Sequence, residues 1–202
     1  MKSLNTTAAL CALLAFVAGH AAAGPAEKVA NAMEPCGWQD KLVAAPVTKL
    51  PEAFKLRTIQ LLNTTAQVSV VEGFRFSLAE DGKEVFANVK IEQSEPEKFA
   101  ADRDAVIANL RYILSTSKGM ESAEPLAVSF SGYEGPMINR STLTGSTLAL
   151  ISLFQEKEHL ILTIYLENGA PEKRSFQTKD EWNLMRDRFL IALTGCAEKA
   201  LQ

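Results

Sequence analysis

Hydrophobic and polar positions alternate with a period of two over residues 68–78, and the same alternation returns over residues 85–91. This period is typical of strands that bury one face of a sheet. Asp81-Gly82 lies between the two segments and favours a tight hairpin turn, because glycine readily adopts positive φ. The pattern predicts two antiparallel strands, whose buried side chains are Val68, Val70, Phe74, Phe76, Leu78, Val85, Ala87, Val89 and Ile91.

Three further apolar segments indicate strands, at residues 126–131, 147–154 and 160–166. The second segment is apolar on both faces, which is typical of a central strand. The polar residues 155–159 favour a reversal of the chain, so the second and third segments are predicted to pair. Residues 36–51 contain Pro46 and Pro51 and are interpreted as a loop.

Helical spacing of apolar residues predicts three helices. A short one covers residues 26–33, and a longer one follows the helix-start signal at residues 94–97 and ends at Gly119. The solvent-facing side of the longer helix carries Asp102, Asp104 and Arg111. Thr178 and Glu181 form a capping box before a long C-terminal helix. The apolar stripe of that helix is Trp182, Met185, Phe189, Ala192, Leu193 and Cys196.

The order of these elements predicts the fold class. Strands, a helix, more strands and a final helix follow one another, and tight turns join neighbouring strands. This order is typical of an α+β domain with a mainly antiparallel sheet. Residues 24–202 fit the usual size of one domain, and we expect them to form a single one.

Residues 1–23 have the three parts of a secretory signal peptide. Lys2 supplies the positive end, residues 8–18 form the apolar core, and Ala21 and Ala23 form a small-residue cleavage site. The apolar core is too short to span a bilayer, which needs ~20 residues. We expect cleavage near Ala23 and a mature chain located in the periplasm or secreted.

The mature chain keeps two cysteines, Cys36 and Cys196, because Cys11 leaves with the signal peptide. An even number of cysteines in an exported chain predicts a disulfide bond. This bond would close a loop of about 160 residues and stabilise the fold by roughly 5 kcal/mol. A redox or metal-binding pair would favour a C-x-x-C spacing, which the sequence lacks.

The charge balance speaks against two classes of partner. The chain has a formal net charge of −3, and removing Lys2 with the signal peptide leaves −4. Nucleic-acid binding requires clustered basic residues, and anionic membrane surfaces attract them as well. We therefore expect neither partner.

No residue pattern indicates catalysis, a metal or a cofactor. His159 is the one histidine of the mature chain, and its polar surroundings at residues 155–159 indicate a turn rather than a general base. One histidine and two bonded cysteines do not supply an ordinary zinc site. We predict that the protein is not an enzyme and has no cofactor.

Gly132-Tyr133-Glu134-Gly135 allows two interpretations. It is a bulge or bend where a strand leaves the sheet, or it belongs to an exposed patch that binds a partner. The patch would consist of Tyr133, Glu134, Asn139 and Arg140, since tyrosine and arginine are favoured interface anchors.

From Glu72 onward the order of elements resembles a known fold family. Gly132, Tyr133 and Arg140 follow the long helix, and the run at residues 187–193 ends the pattern. The chain is similar to the PsbP-like family, named after an extrinsic protein of photosystem II and shared by a Ran-binding nuclear-import factor. The resemblance implies a three-layer α/β/α sandwich and an accessory or binding role, and it transfers no binding residues.

Three functions follow as hypotheses. The first is a non-enzymatic accessory protein that binds another protein of the cell envelope. The second is an immunity or inhibitor protein against a periplasmic toxin or enzyme. The third is a carrier of a small ligand between sheet and helix.

Overall fold

The computed structural model describes residues 23–36, 38, 42–52, 59–61, 64–66, 69–116, 126–130, 132–140, 147–169 and 175–202. The predicted signal peptide lies outside these residues, except for Ala23. The described part of the chain contains three helices, α1 (Pro25–Ala32), α2 (Phe99–Thr116) and α3 (Lys179–Leu201). It also contains nine strands: β1 (Val43–Lys49), β2 (Ile59–Leu61), β3 (Thr64–Ala66), β4 (Ser69–Glu80), β5 (Lys83–Gln93), β6 (Leu126–Phe130), β7 (Tyr133–Arg140), β8 (Thr147–Gln155) and β9 (Leu160–Gly169).

Seven of these strands form one sheet in the order β1-β4-β5-β9-β8-β7-β6, and β2 and β3 form a separate pair. Every pair of neighbouring strands in the large sheet is antiparallel. The predicted α+β class, the antiparallel sheet and the long C-terminal helix are therefore confirmed.

The β4–β5 hairpin forms as the alternating pattern predicts. Glu80 pairs with Lys83 across a two-residue turn. Asp81 and Gly82 both have positive φ, 50° and 77°. This backbone suits the right-handed twist of the flanking strands, which explains why Asp-Gly occupies the turn.

The interpretation of residues 36–51 as a loop is wrong, because strand β1 occupies Val43–Lys49. This strand lies at the edge of the sheet and pairs only with β4 among the described strands. An edge strand tolerates Pro46, whose missing N–H is not needed on the side that faces away from the sheet. The register shifts between Ala44 and Thr48, around the proline.

One face of the sheet packs against α1 and α3 and contains the larger core cluster. Phe76 lies at its centre and is fully buried. Its ring contacts Trp38, Phe74 and Phe189 at centroid distances of 5.2, 6.4 and 5.4 Å. Phe189 belongs to α3, so these aromatic contacts join the sheet to the C-terminal helix.

The predicted disulfide is confirmed: Cys36 and Cys196 are bonded, with their Cα atoms 6.0 Å apart. The bond ties the segment after α1 to the last turns of α3. The Sγ atom of Cys196 lies 3.5 Å from the carbonyl oxygen of Ala32, at the end of α1. A disulfide is typical of proteins in an oxidising compartment outside the cytosol.

Helix α2 packs on side chains that point away from the larger core. Phe99 and Val106 of α2 cluster with Phe154 and Ile161 of the sheet. Phe154 follows Leu153, and Ile161 precedes Leu162, which belong to the larger core; successive strand residues point to opposite faces. The three-layer arrangement implied by the family resemblance stays a prediction.

The helical pattern predicts Asp102 on the solvent-facing side of α2, and this prediction is wrong. Its side chain is buried, only 4 % exposed. Its carboxylate accepts a hydrogen bond of 2.6 Å from the Ser94 hydroxyl. Ser94 precedes the helix, and its partner lies in the first turn. This bond offsets the cost of burying the acid and fixes the chain before α2.

The capping box of α3 is confirmed. The Thr178 hydroxyl accepts a bond of 3.2 Å from the Glu181 backbone N–H. The Glu181 carboxylate accepts from Lys83 at 2.8 Å and from the Thr178 backbone and hydroxyl. These hydrogen bonds lower the pKa of Glu181 to about 2, and the bond from Lys83 has the largest effect. Because the charged carboxylate makes them, their stabilisation is present at neutral pH and is lost as the pH falls towards about 2.

Candidate functional site

The segment predicted as a bulge or a binding patch is a tight turn followed by strand β7. Gly132 has φ 78° and forms the turn after β6. Tyr133–Arg140 then pairs with β6 on one side and β8 on the other. A Cβ atom at Gly135 would lie 1.9 Å from the Ser152 carbonyl oxygen. Glycine is therefore required there by the close approach of the neighbouring strand.

Tyr133 is fully buried, so its predicted place in an exposed patch is wrong. Its strand position points the ring into the core between the sheet and α3. Of the other predicted patch residues, Glu134 is exposed. Asn139 and Arg140 lie in β7, but their side chains are outside the described part of the structure.

The Tyr133 hydroxyl is buried and has no hydrogen-bond partner among the described residues. Burial, and then the charges of Glu198 and Glu158, raise the pKa of Tyr133 far above its ordinary value, so the neutral form persists at all physiological pH values. The carboxylate of Glu198, in α3, lies near the turn, with its Oε2 3.8 Å from a Cβ built on Gly132. The structure therefore assigns Tyr133 to the core rather than to a binding surface.

We expect Tyr133→Phe to raise the free energy of unfolding by about 1 kcal/mol, because it removes a buried hydroxyl that lacks a partner. Chemical denaturation measures the change, and Tyr165→Phe is the matched control, because it removes an exposed hydroxyl whose long contact with Glu167 should add at most a few tenths of a kcal/mol, about the size of an exposed surface contact. A loss of stability in Tyr133→Phe alone would show that its hydroxyl is hydrogen-bonded in solution.

His159 lies in the turn between β8 and β9, as predicted. Its backbone adopts φ 55°. Its ring contacts the edge of Phe99 at a centroid distance of 5.4 Å, and its carbonyl oxygen accepts from the Ser94 N–H at 3.1 Å. These contacts give His159 a structural role in joining the turn to the start of α2.

A different surface carries exposed aromatic side chains, on the same face of the sheet that α2 covers in part. Ile161 packs under α2, and Tyr165 lies four residues further along the same face of β9. Here the sheet is open: Tyr165 is 36 % exposed and Phe86, on neighbouring β5, is 42 % exposed. Their strand neighbours Val85 and Leu166 point into the larger core.

The strand register brings two rows of side chains together on this open face. In one row Arg75 pairs with Asn88, which pairs with Tyr165. In the next row Ser77 pairs with Phe86, and Phe86 pairs with Glu167. We call the exposed residues on this face the open-face cluster; they are Arg75, Glu84, Phe86, Tyr165 and Glu167.

Contacts within the open-face cluster hold its side chains in place. The Arg75 guanidinium lies over the Phe86 ring, 4.3 Å from its centroid. The Glu84 carboxylate accepts a hydrogen bond from the Ser77 hydroxyl. The Tyr165 hydroxyl lies 3.5 Å from the Glu167 carboxylate. The cluster thus combines two ordered aromatic rings and one arginine with two exposed carboxylates at its margin.

The sequence contains a signal for this cluster that the strand prediction did not use. Phe86 is an aromatic residue at a position that the alternating pattern of residues 85–91 assigns to the polar face, and Tyr165 is an aromatic residue in the predicted strand at residues 160–166. An aromatic ring on a solvated face exposes apolar surface without contributing to the core. Such positions are typical of interaction surfaces when several lie together.

Two further features concern metals and membranes. Among the described residues, no three His, Cys, Asp or Glu side chains lie close enough together to hold a metal ion. Of the helices described, none is both long and apolar enough to cross a membrane.

Comparison of the chain with protein-family models, with curated proteins and with solved structures found no match. Arguments about function therefore depend on the site itself.

Proposed function

We propose that this chain is an exported, non-enzymatic accessory protein that binds another protein through the open-face cluster. The observation that carries the proposal is the pair of exposed rings, Phe86 and Tyr165, with the Arg75 guanidinium held against one of them. Aromatic residues and arginine contribute most of the binding energy in many interfaces. They stand on three adjacent strands of one sheet, which gives a rigid surface.

The charges of the cluster indicate the chemistry of the partner. Glu84 and Glu167 are exposed at its margin, and Arg75 already contacts Phe86. A partner that places an apolar side chain against Phe86 and Tyr165, with lysine or arginine beside it, would complement both the rings and the carboxylates. We therefore propose a protein partner whose contact surface is apolar at the centre and basic at the rim.

Two features support export to the periplasm or beyond. The Cys36–Cys196 disulfide is typical of an oxidising compartment. The pattern of Lys2, an apolar core and a small-residue site near Ala23 is typical of a signal peptide. The partner is accordingly sought in the cell envelope. If that partner is a toxin or an enzyme, the chain acts as an immunity or inhibitor protein by the same surface.

The test is affinity capture from the cell envelope with the full-length chain carrying a tag after Gln202. We expect one dominant partner whose recovery falls at least about tenfold in Phe86→Ala and in Tyr165→Ala. Tyr112→Ala, which removes an exposed ring from α2, is the matched control and should leave recovery unchanged.

Two further measurements sharpen this test. Glu167→Lys should weaken capture, because it places a cation where we propose a basic partner, and added salt should weaken the wild-type complex. Thermal melting should confirm that each variant is folded. Equal recovery in all three alanine variants would refute the open-face cluster as the binding surface.

A further inference from the structure

Helix α1 begins directly after the predicted cleavage site of the signal peptide. Ala23 is exposed and lies outside the helix, and Gly24 is the N-cap, with an extended backbone at φ −65° and ψ 167°. Pro25 is the first helical residue, a position where its missing N–H costs no intrahelical hydrogen bond. The Ala23–Gly24 bond thus joins an exposed residue to the cap of α1.

The residues that follow Gly24 belong to the larger core. Ala26 is 2 % exposed, and Val29 and Met33 are fully buried. Cleavage after Ala26 would also leave small residues at the two positions that the cleavage pattern requires, Ala26 and Gly24. It would remove both the cap and a buried residue from α1, so the fold favours a mature chain that still contains Gly24.

Both backbone groups of Gly24 are bonded within α1. Its N–H donates a hydrogen bond of 3.0 Å to the Glu27 carboxylate, and its carbonyl oxygen accepts one of 2.9 Å from the Lys28 N–H. Hydrolysis of the Ala23–Gly24 bond gives Ala23 a carboxylate and Gly24 an ammonium group, and both hydrogens of the water end on that nitrogen. The bond to Glu27 then joins two opposite charges, which strengthens it.

The charge of the new terminus increases the importance of Glu27. An ammonium group at the start of a helix is repelled by the positive end of the helix dipole. The Glu27 carboxylate lies in the first turn of α1 and offsets that repulsion. A chain with residues before Gly24 has no ammonium group at this point, so Glu27 should stabilise it less.

We infer that the leader is removed at the Ala23–Gly24 bond and that Glu27 holds the ammonium group of Gly24, the first residue of the mature chain. The mature amino terminus is then part of the cap of α1, and no tail precedes the fold. This inference rests on the export of the chain, which belongs to the proposed function, and it is independent of the open-face cluster.

Mass spectrometry and amino-terminal sequencing of the chain recovered from the cell envelope, with a tag after Gln202, test the position of cleavage. We expect one species that begins at Gly24. Ala23→Leu should prevent cleavage at this bond, whereas Ala22→Leu, between the two required small residues, should leave it unchanged. An exported chain that begins at any other residue would overturn this inference alone. An intact chain found in the cytosol with residues 1–23 would refute export as well.

A second measurement tests the role of Glu27. Glu27→Gln is compared in two disulfide-bonded chains, the mature chain that starts at Gly24 and a chain that keeps Ala22 and Ala23. The melting temperature should fall by about 1–3 °C in the mature chain and by less than half as much in the longer one, since only the mature chain has an ammonium group beside Glu27. Glu34→Gln, at an exposed acid beyond α1, is the control with no expected effect. Equal losses in the two chains would overturn the ion pair.

Discussion

Phe76→Ala is expected to lower the free energy of unfolding by about 3–5 kcal/mol, a large part of the stability of an ordinary domain. Phe76 is fully buried and its ring contacts Trp38, Phe74 and Phe189. Alanine would remove these contacts and leave a cavity between the sheet and α3. Because the neighbouring rings belong to three separate segments, the surrounding structure cannot easily collapse into that space.

Denaturation in guanidinium chloride measures this loss, and Phe86→Ala is the matched control. Phe86 of β5 pairs with Ser77, the residue that follows Phe76 in β4. Unlike Phe76, Phe86 is 42 % exposed. Its loss should cost no more than about 1 kcal/mol, mostly from the contact with Arg75. Equal losses in the two variants would contradict the assignment of Phe76 to the centre of the core.

Opening the Cys36–Cys196 disulfide is expected to destabilise the protein by about 2–5 kcal/mol. The two cysteines are separated by 160 positions in the chain, so the bond restricts nearly the whole unfolded domain. It also fastens the segment after α1 to α3, and α1 and the residue that follows it contribute Val29 and Met33 to the larger core. Reduction should therefore loosen α1 before the sheet unfolds.

The measurement compares the wild type with the double variant Cys36→Ala and Cys196→Ala, each with and without reductant. The wild type should lose stability on reduction, and the double variant should be equally destabilised and insensitive to reductant. Alanine is chosen because Cys196 is 4 % exposed, where a serine hydroxyl would need a partner. A wild type whose midpoint does not move on reduction would contradict the stabilising role of the bond.

The elements that local sequence determines were predicted well. The β4–β5 hairpin has alternating apolar and polar residues on both sides of an Asp-Gly turn, and α3 begins at a capping box whose bonds all form. In both cases residues that are close in the chain form the turn or the helix cap, and the same short segment supplies the side chains that face the core. The disulfide was predictable for another reason, because only two cysteines were expected in the mature chain.

Elements that depend on distant neighbours were missed. Strand β1 contains Pro46, which is acceptable only because the strand lies at the edge of the sheet. Strand β7 follows the turn at Gly132, and its first residues were interpreted as part of a bulge, a bend or a binding patch over residues 132–135. In its pairing with β8, Glu134 lies opposite Phe154, and pairing resumes at Met137 opposite Ile151. Between these pairs the Ser152 carbonyl approaches so closely that Gly135 is required.

The candidate site was predicted least well, because exposure depends on which part of the sheet the helices cover. Tyr133 resembled an interface residue in the sequence, but its strand position turns it under α3 and buries it completely. Phe86 and Tyr165 lie on the face of the sheet that α2 covers in part. Only the placement of α2 over Phe154 and Ile161, and not over these two rings, leaves them exposed.

The most direct measurement is site-specific photo-cross-linking in living cells, with a photoreactive amino acid at position 86 and, as the control, at position 112. Both positions carry exposed rings, so both probes are accessible to solvent. Binding through the open-face cluster predicts one specific adduct from position 86 and none from position 112. No adduct at position 86, or the same adducts at both positions, would contradict the proposed binding surface.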